Sequence, residues 1–81
     1  MEIKVLGPGC KNCKTLEAAV LNIVEEMGMG ARVEKVESPE KIAGLGVLIT
    51  PGLIINGKIK SSGRVPGRDD IVKWIREEMG K

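Results

Sequence analysis

The sequence predicts a small α/β domain, a four-stranded mixed sheet flanked by helices in the order βαβ-α-ββα, spanning residues 1–81 as a single domain. Three observations predict it. An alternating apolar run at Ile3 and Val5 is followed by a segment of helical period and then by a second alternating run, so the first two strands run parallel through a right-handed crossover. Asn56-Gly57 sits between two strand-like runs and is the strongest short-range hairpin signal, because a two-residue type I′ turn needs positive φ at both positions. Residues 69–79 lack Gly and Pro at every position and show helical spacing again. A chain of 81 residues buries only about 60–65% of the surface its unfolded form exposes, so one compact core is expected.

Ile3 and Val5 flank Lys4, and Leu6 extends the run to the breaker Gly7-Pro8-Gly9, which reads as a strand closed by a sharp loop. Residues 14–27 contain neither Gly nor Pro, and Leu16, Val20, Ile23, Val24 and Met27 recur along one face, which predicts the first helix. Gly28 and Gly30 end it. Residues 31–36 alternate weakly and read as an edge strand. Ser38 offers a capping hydroxyl ahead of Pro39 at the first helical position, so a short helix is expected over residues 39–45. Gly44 and Gly46 read as loop geometry. Leu53-Ile54-Ile55 is a continuous apolar strand suited to burial on both faces, and Lys58-Ile59-Lys60 is its hairpin partner. In the last helix Ile71, Val72, Ile75 and Met79 share a face, Trp74 packs at its rim, and Asp69 and Asp70 sit at its positive end.

Lysine and arginine total 13 against 11 acidic residues, with 42% of the chain apolar and 30% charged, the balance of a soluble globular protein. Trp74 is the single aromatic residue, so the stacking platforms of single-stranded nucleic-acid binders cannot be built, and no basic run points to nucleic acid. The longest apolar stretches, residues 18–21 and 44–49, fall far short of the ~20 residues of a membrane span. The first residues, Met1-Glu2-Ile3-Lys4-Val5, lack a signal-peptide pattern. A cytoplasmic monomer with no membrane or nucleic-acid partner is expected. Histidine is absent, which removes the usual near-neutral base and the commonest metal ligand. Chemistry falls to cysteine, lysine or carboxylate.

Cys10 and Cys13 are the only cysteines, separated by Lys11-Asn12 where the first strand's loop meets the first helix. As a staple the pair is poor, because stabilisation grows with the loop closed and this loop is the smallest useful one. As reactive groups they are well placed. The first turn of a helix presents unpaired N–H groups and about half a positive charge, which favours thiolate over thiol at Cys10. Lys11 and Lys14 add cationic charge in the same turn. A residue at the helix start can face solvent, whereas one three positions later is turned under it, so Cys10 reads as the attacking thiolate and Cys13 as the resolving thiol. Gly9, Lys11, Asn12 and Lys14 are the supporting residues around them. The alternative is a metallochaperone-like protein that holds copper or zinc with the same Cys-x-x-Cys. Structural zinc needs four ligands and so would require two chains, while a two-coordinate thiolate site for copper(I) stays open.

Gly7-Pro8-Gly9-Cys10-Lys11-Asn12-Cys13, Thr50-Pro51-Gly52-Leu53-Ile54-Ile55-Asn56-Gly57, and Gly63-Arg64-Val65 before the last helix together resemble the thioredoxin-like superfamily. Within it, the likeness over nearly the whole chain is to the small thioredoxin/glutaredoxin-like redox-active disulfide proteins. The resemblance implies a thioredoxin-like fold with strand order 4-3-1-2, the third strand running against the rest. It implies a protein disulfide oxidoreductase cycling between a Cys10/Cys13 dithiol and disulfide, with no cofactor beyond that disulfide and no metal. Protein disulfides would be its substrates, and a flavin- or iron–sulfur-dependent reductase its electron donor. The Thr50–Pro51 bond would be cis and face the disulfide, with the backbone of Thr50 pairing with an extended substrate segment.

Two departures stand out. The buried Asp of thioredoxins is replaced by Lys4, a cation that offers a thiolate stabilisation but not proton transfer, and the aromatic residue before the first cysteine is replaced by Gly9, which strips the rim of its apolar pad. Glutaredoxins are similar in the Ile55-Asn56-Gly57 hairpin, but the segment 61–67 displaces Asp69-Asp70 from the position that holds glutathione in those enzymes, so the pair reads as a helix start. Heavy-metal-associated domains also carry Cys-x-x-Cys after strand one, but in a βαββαβ order that ends in a strand.

Overall fold

A computed structural model describes residues 1–80. Its elements are β1 (Glu2–Leu6), α1 (Lys11–Glu26), β2 (Arg32–Val36), α2 (Pro39–Gly44), β3 (Gly52–Ile55), β4 (Lys58–Ser62) and α3 (Arg68–Met79). The sheet order β2-β1-β3-β4 is the expected order read from the opposite edge. β1 and β2 run parallel, from Glu2 opposite Arg32 to Leu6 opposite Val36. β3 is antiparallel to both β1 and β4. The last described element is a helix, so the order is not that of the heavy-metal-associated domains.

Alternation along the strands divides the apolar side chains between two layers. Ile3 and Val5 join Leu53 and Ile55 beneath Leu16, Val20 and Ile23 of α1 and Ile71 and Ile75 of α3. Leu6 and Ile54 point the other way and meet Val36, Val47 and Ile42 of α2. β3 is buried at every position, which is why its sequence is apolar without alternation. Full burial of each Leu or Ile is worth about 1.5–3 kcal/mol, so the α1–α3 layer carries most of the hydrophobic stabilisation. Trp74 packs against this layer while partly exposed.

Asn56 and Gly57 adopt positive φ, 50° and 80°, as the hairpin turn requires. Asn56 also ties the turn to β1: its side-chain oxygen accepts from the Glu2 N–H at 3.0 Å, and its own N–H donates to the Glu2 carbonyl at 2.8 Å. β4 continues through Ser62, beyond the expected Lys60. A register shift sets Leu53 opposite Ser61 but Ile54 opposite Ile59, so Lys60 is the extra residue of a bulge.

α1 begins at Lys11, earlier than the periodicity indicates. Cys10 is its N-cap, with extended backbone and a sulfur that accepts from the Cys13 N–H. Cysteine is not among the usual capping residues, so composition does not mark this start. Ser38 occupies the N-cap of α2, but its hydroxyl makes no capping bond. The helix instead starts on the main chain, with the Ile42 N–H donating to the Ser38 carbonyl at 2.9 Å, behind the preset φ of Pro39. Gly44 lies in the last turn of α2, and only Gly46, at φ 91°, makes the turn that follows.

Candidate redox site

Three segments meet at one end of the sheet: the loop after β1, the first turn of α1 and the entry to β3. Gly7 keeps the sheet's bonding going past β1, its N–H donating to the Val36 carbonyl at 2.8 Å. Gly9, at φ 91°, then turns the chain into α1, a conformation that glycine adopts at no steric cost. Cys10 is exposed, whereas Cys13 is 1% exposed. Their sulfurs form a disulfide with Cα atoms 5.0 Å apart, within the usual span.

The helix amides surround the outer sulfur. The Cys13 N–H donates to Cys10 Sγ at 3.2 Å, and the Lys14 N–H donates to the Cys10 carbonyl at 3.0 Å. After reduction the same N–H and the positive end of α1 would favour negative charge on Cys10. Lys11, Asn12 and Lys14 are exposed around it, and the first turn of α1 contains no acidic residue.

Cys13 is held against β1 by a contact that only glycine allows. A Cβ at Gly7 would lie 2.8 Å from Cys13 Cβ and closer still to its sulfur. Gly7 thus belongs to the site, although in the sequence it reads only as part of a breaker; nothing short of the packing reveals it. The antiparallel register of β1 and β3 ends with Leu6 opposite Gly52, so one further step sets Pro51 across from Gly7. The Thr50–Pro51 bond is cis. Pro51 is buried and Thr50 half-buried, and the Gly63 N–H donates to the Pro51 carbonyl at 2.9 Å.

Lys4 does not join this group. It lies opposite Ile54 and alternates with Val5, on the α2 side of the sheet, where its Nζ is 3.9 Å from a Glu2 carboxylate oxygen. Gly7 and Cys13 lie on the α1 side, so the cation expected beside the buried sulfur faces away from it. Asp69 and Asp70 occupy the exposed first turn of α3, where carboxylates complement the helix's positive end. Among the described residues, no helix is long and apolar enough to cross a membrane.

Two sulfurs three positions apart, one reachable from solvent and one sealed beneath it, are suited to accepting and releasing a pair of electrons by thiol–disulfide exchange. The fold and site therefore define a redox-active disulfide protein. The chain matches the Thioredoxin domain family over residues 1–76. It is 37% identical over 75 residues to a thioredoxin of Methanothermobacter thermautotrophicus, covering 93% of this chain and 97% of that protein. It is 34% identical over 77 residues to a thioredoxin of Methanocaldococcus jannaschii, covering 95% and 84% respectively. The chain belongs to the thioredoxin domain family, and it is a thiol–disulfide oxidoreductase. Membership brings protein disulfides as substrates and a reductase as electron source.

Proposed function

We propose that the protein is a cytoplasmic, monomeric dithiol reductant that carries electrons from a flavin- or iron–sulfur-dependent reductase to protein disulfides. The observation that carries this reading is the contrast between the exposed Cys10 on the amino-terminal turn of α1 and the buried Cys13. Only the outer sulfur is reachable by a protein-sized partner.

In the reduced protein the Cys10 thiolate attacks one sulfur of the target disulfide. The target S–S bond breaks, a Cys10–target bond forms, and the departing target thiolate takes a proton. Cys13 then loses its proton and attacks Cys10 Sγ, expelling the second target thiolate, which is protonated in turn. Two electrons and two protons have passed to the target, and the Cys10–Cys13 disulfide remains for the reductase. Burial of Cys13 keeps the second step intramolecular, so it outruns attack by outside thiols. The N–H donated by Cys13 and the charges of Lys11 and Lys14 support the Cys10 thiolate. Gly9 turns the chain into α1 ahead of it, and Asn12 lies in the first helical turn beside it. The backbone of Thr50, beside Pro51, pairs with the extended target segment, a reading supported by its half-buried place at the entry to β3.

Cys13→Ser should stop the cycle halfway and leave target proteins covalently bound through Cys10, whereas Cys10→Ser should hold none. Intact mass measurement after mixing each variant with a disulfide-bonded protein decides this. Abundant adducts with Cys10→Ser and none with Cys13→Ser would reverse the roles.

A further inference from the structure

The methionines Met1, Met27, Met29 and Met79 form no cluster along the sequence, yet the fold gathers three of them. Met1 precedes β1, Met29 lies between α1 and β2, and Met79 ends α3. All three line one cavity of about 310 Å³, at the end of β1 away from the disulfide. Met1 is fixed there by the Arg32 N–H, which donates to its carbonyl at 2.9 Å. Met1 and Met29 are half-buried against the core, and Met79 is 52% exposed, so the group is reachable from solvent. The buried layer above them is filled by Ile, Leu and Val without methionine, so sulfur is concentrated at this one end.

The rest of the lining decides the kind of ligand. Gly30 and Ala31 bring no donor side chain. The Asn56 side-chain oxygen already accepts from the Glu2 N–H at 3.0 Å, and Glu78 Oε2 accepts from Lys60 Nζ at 3.1 Å. Those oxygens are committed to the hairpin turn and to β4, which leaves the three thioether sulfurs as the cavity's ligating groups among the described residues.

We propose that Met1, Met29 and Met79 form a binding site for a soft monovalent cation of the copper(I) or silver(I) type, separate from the redox site. Thioether sulfur is a neutral, polarisable ligand suited to such ions, whereas calcium and magnesium take oxygen, and zinc takes thiolate, imidazole or carboxylate. Methionine has three rotatable bonds, so sulfurs anchored on three segments can turn onto one ion without moving the backbone. A thioether loses no proton on binding, so occupancy is independent of pH, unlike that of a site built from thiolates, carboxylates or amines. In the reduced protein Cys10 and Cys13 compete as thiolates from beyond the other end of β1. In the oxidised protein the methionines are the soft donors.

The test adds silver(I) nitrate, in chloride-free buffer, to oxidised protein carrying isotope-labelled methionine methyl groups, and follows the methyl resonances by NMR. Up to one equivalent should shift Met1, Met29 and Met79 together and move Met27, which does not line the cavity, far less. Zinc(II) should move none of them. The double variant Met29→Leu, Met79→Leu keeps the side-chain volume and so is well tolerated; its silver affinity should fall about tenfold or more. Met79→Leu alone, an exposed change that leaves the fold nearly unperturbed, should also bind more weakly, and it decides the matter if the double variant does not fold. Met27→Leu should keep the wild-type affinity. The wild-type affinity should be the same at about pH 5 and pH 7. The proposal is overturned by no methyl shift, by equal shifts at Met27, by an affinity retained without Met29 and Met79, or by one that weakens about tenfold between pH 7 and pH 5.

Discussion

Gly7 sets how near α1 can come to β1, and so how deeply Cys13 is sealed. Gly7→Ala places a methyl group inside the space held by Cys13. Overpacking of this kind costs about 1–3 kcal/mol, and urea unfolding of the oxidised protein should show a lowered midpoint. An unchanged midpoint would mean that α1 can lift away freely. The cysteines themselves are legible in the sequence, because Cys-x-x-Cys at a strand-to-helix junction is a chemical pattern before it is a structural one. Gly7 is not, since a glycine before Pro8 reads equally well as a turn residue, and its sulfur contact exists only once the helix has docked. The exposure of Leu48 and Ile49 is hidden for a related reason: six apolar or glycine residues in a row, 44–49, carry no period that separates the buried Val47 from its exposed neighbours. Lys4 shows the reverse case. Its place in the chain suggests a neighbour for Cys13, and strand alternation sends it to the other face.

At the scale of elements, β4 and α3 are joined by a buried carboxylate. Glu78 is 7% exposed, and its Oε2 lies 3.1 Å from Lys60 Nζ and 3.5 Å from Lys58 Nζ. Hydrogen bonds to charged groups contribute about 1.5–3 kcal/mol, so Glu78→Ala should lower unfolding stability by about that amount. Lys58 lies opposite Ile55, while the disulfide end of the same hairpin pairs Ser62 with Gly52. Disulfide-reduction rates should therefore stay at the wild-type level in Glu78→Ala. Ser61 makes the opposite prediction. Its hydroxyl is buried with no hydrogen-bond partner among the described residues, so Ser61→Ala should be neutral or stabilising by up to about 1 kcal/mol, read as an unchanged or raised Tm. The hairpin and the crossover helix are legible in the sequence because turn chemistry and helical period are local signals. The start of α1 shows in the Cys-x-x-Cys pattern and not in the apolar period, and the length of β4 shows in neither, because a bulge at Lys60 breaks the alternation.

Across the whole molecule, the sheet is complete without the disulfide. The bridge closes so short a loop that the chain-entropy gain is about 2 kcal/mol at most, so the double variant Cys10→Ser, Cys13→Ser should unfold within about 2 kcal/mol of the oxidised protein. A molecule that keeps its fold in both redox states can shuttle electrons without refolding at each turn. The order βαβ-α-ββα, with its parallel β1–β2 pair and antiparallel β3, follows from local signals and the handedness of crossovers, which is why so much of the architecture can be read in advance. How strongly the site holds electrons depends on a balance of scale. In the proposed cycle the end of α1, with Lys11 and Lys14, stabilises the Cys10 thiolate and raises the potential, while exposure of both lysines lets solvent and salt screen them. The most direct measurement is equilibration against defined glutathione and dithiothreitol buffers, with the thiol and disulfide forms counted after acid quenching. The account predicts a two-electron couple with a midpoint between roughly −200 and −300 mV, in the range of thioredoxin- and glutaredoxin-type dithiols. A midpoint near about −120 mV, the value of a strong oxidant, or a cysteine pair that does not respond to the buffers, would contradict it.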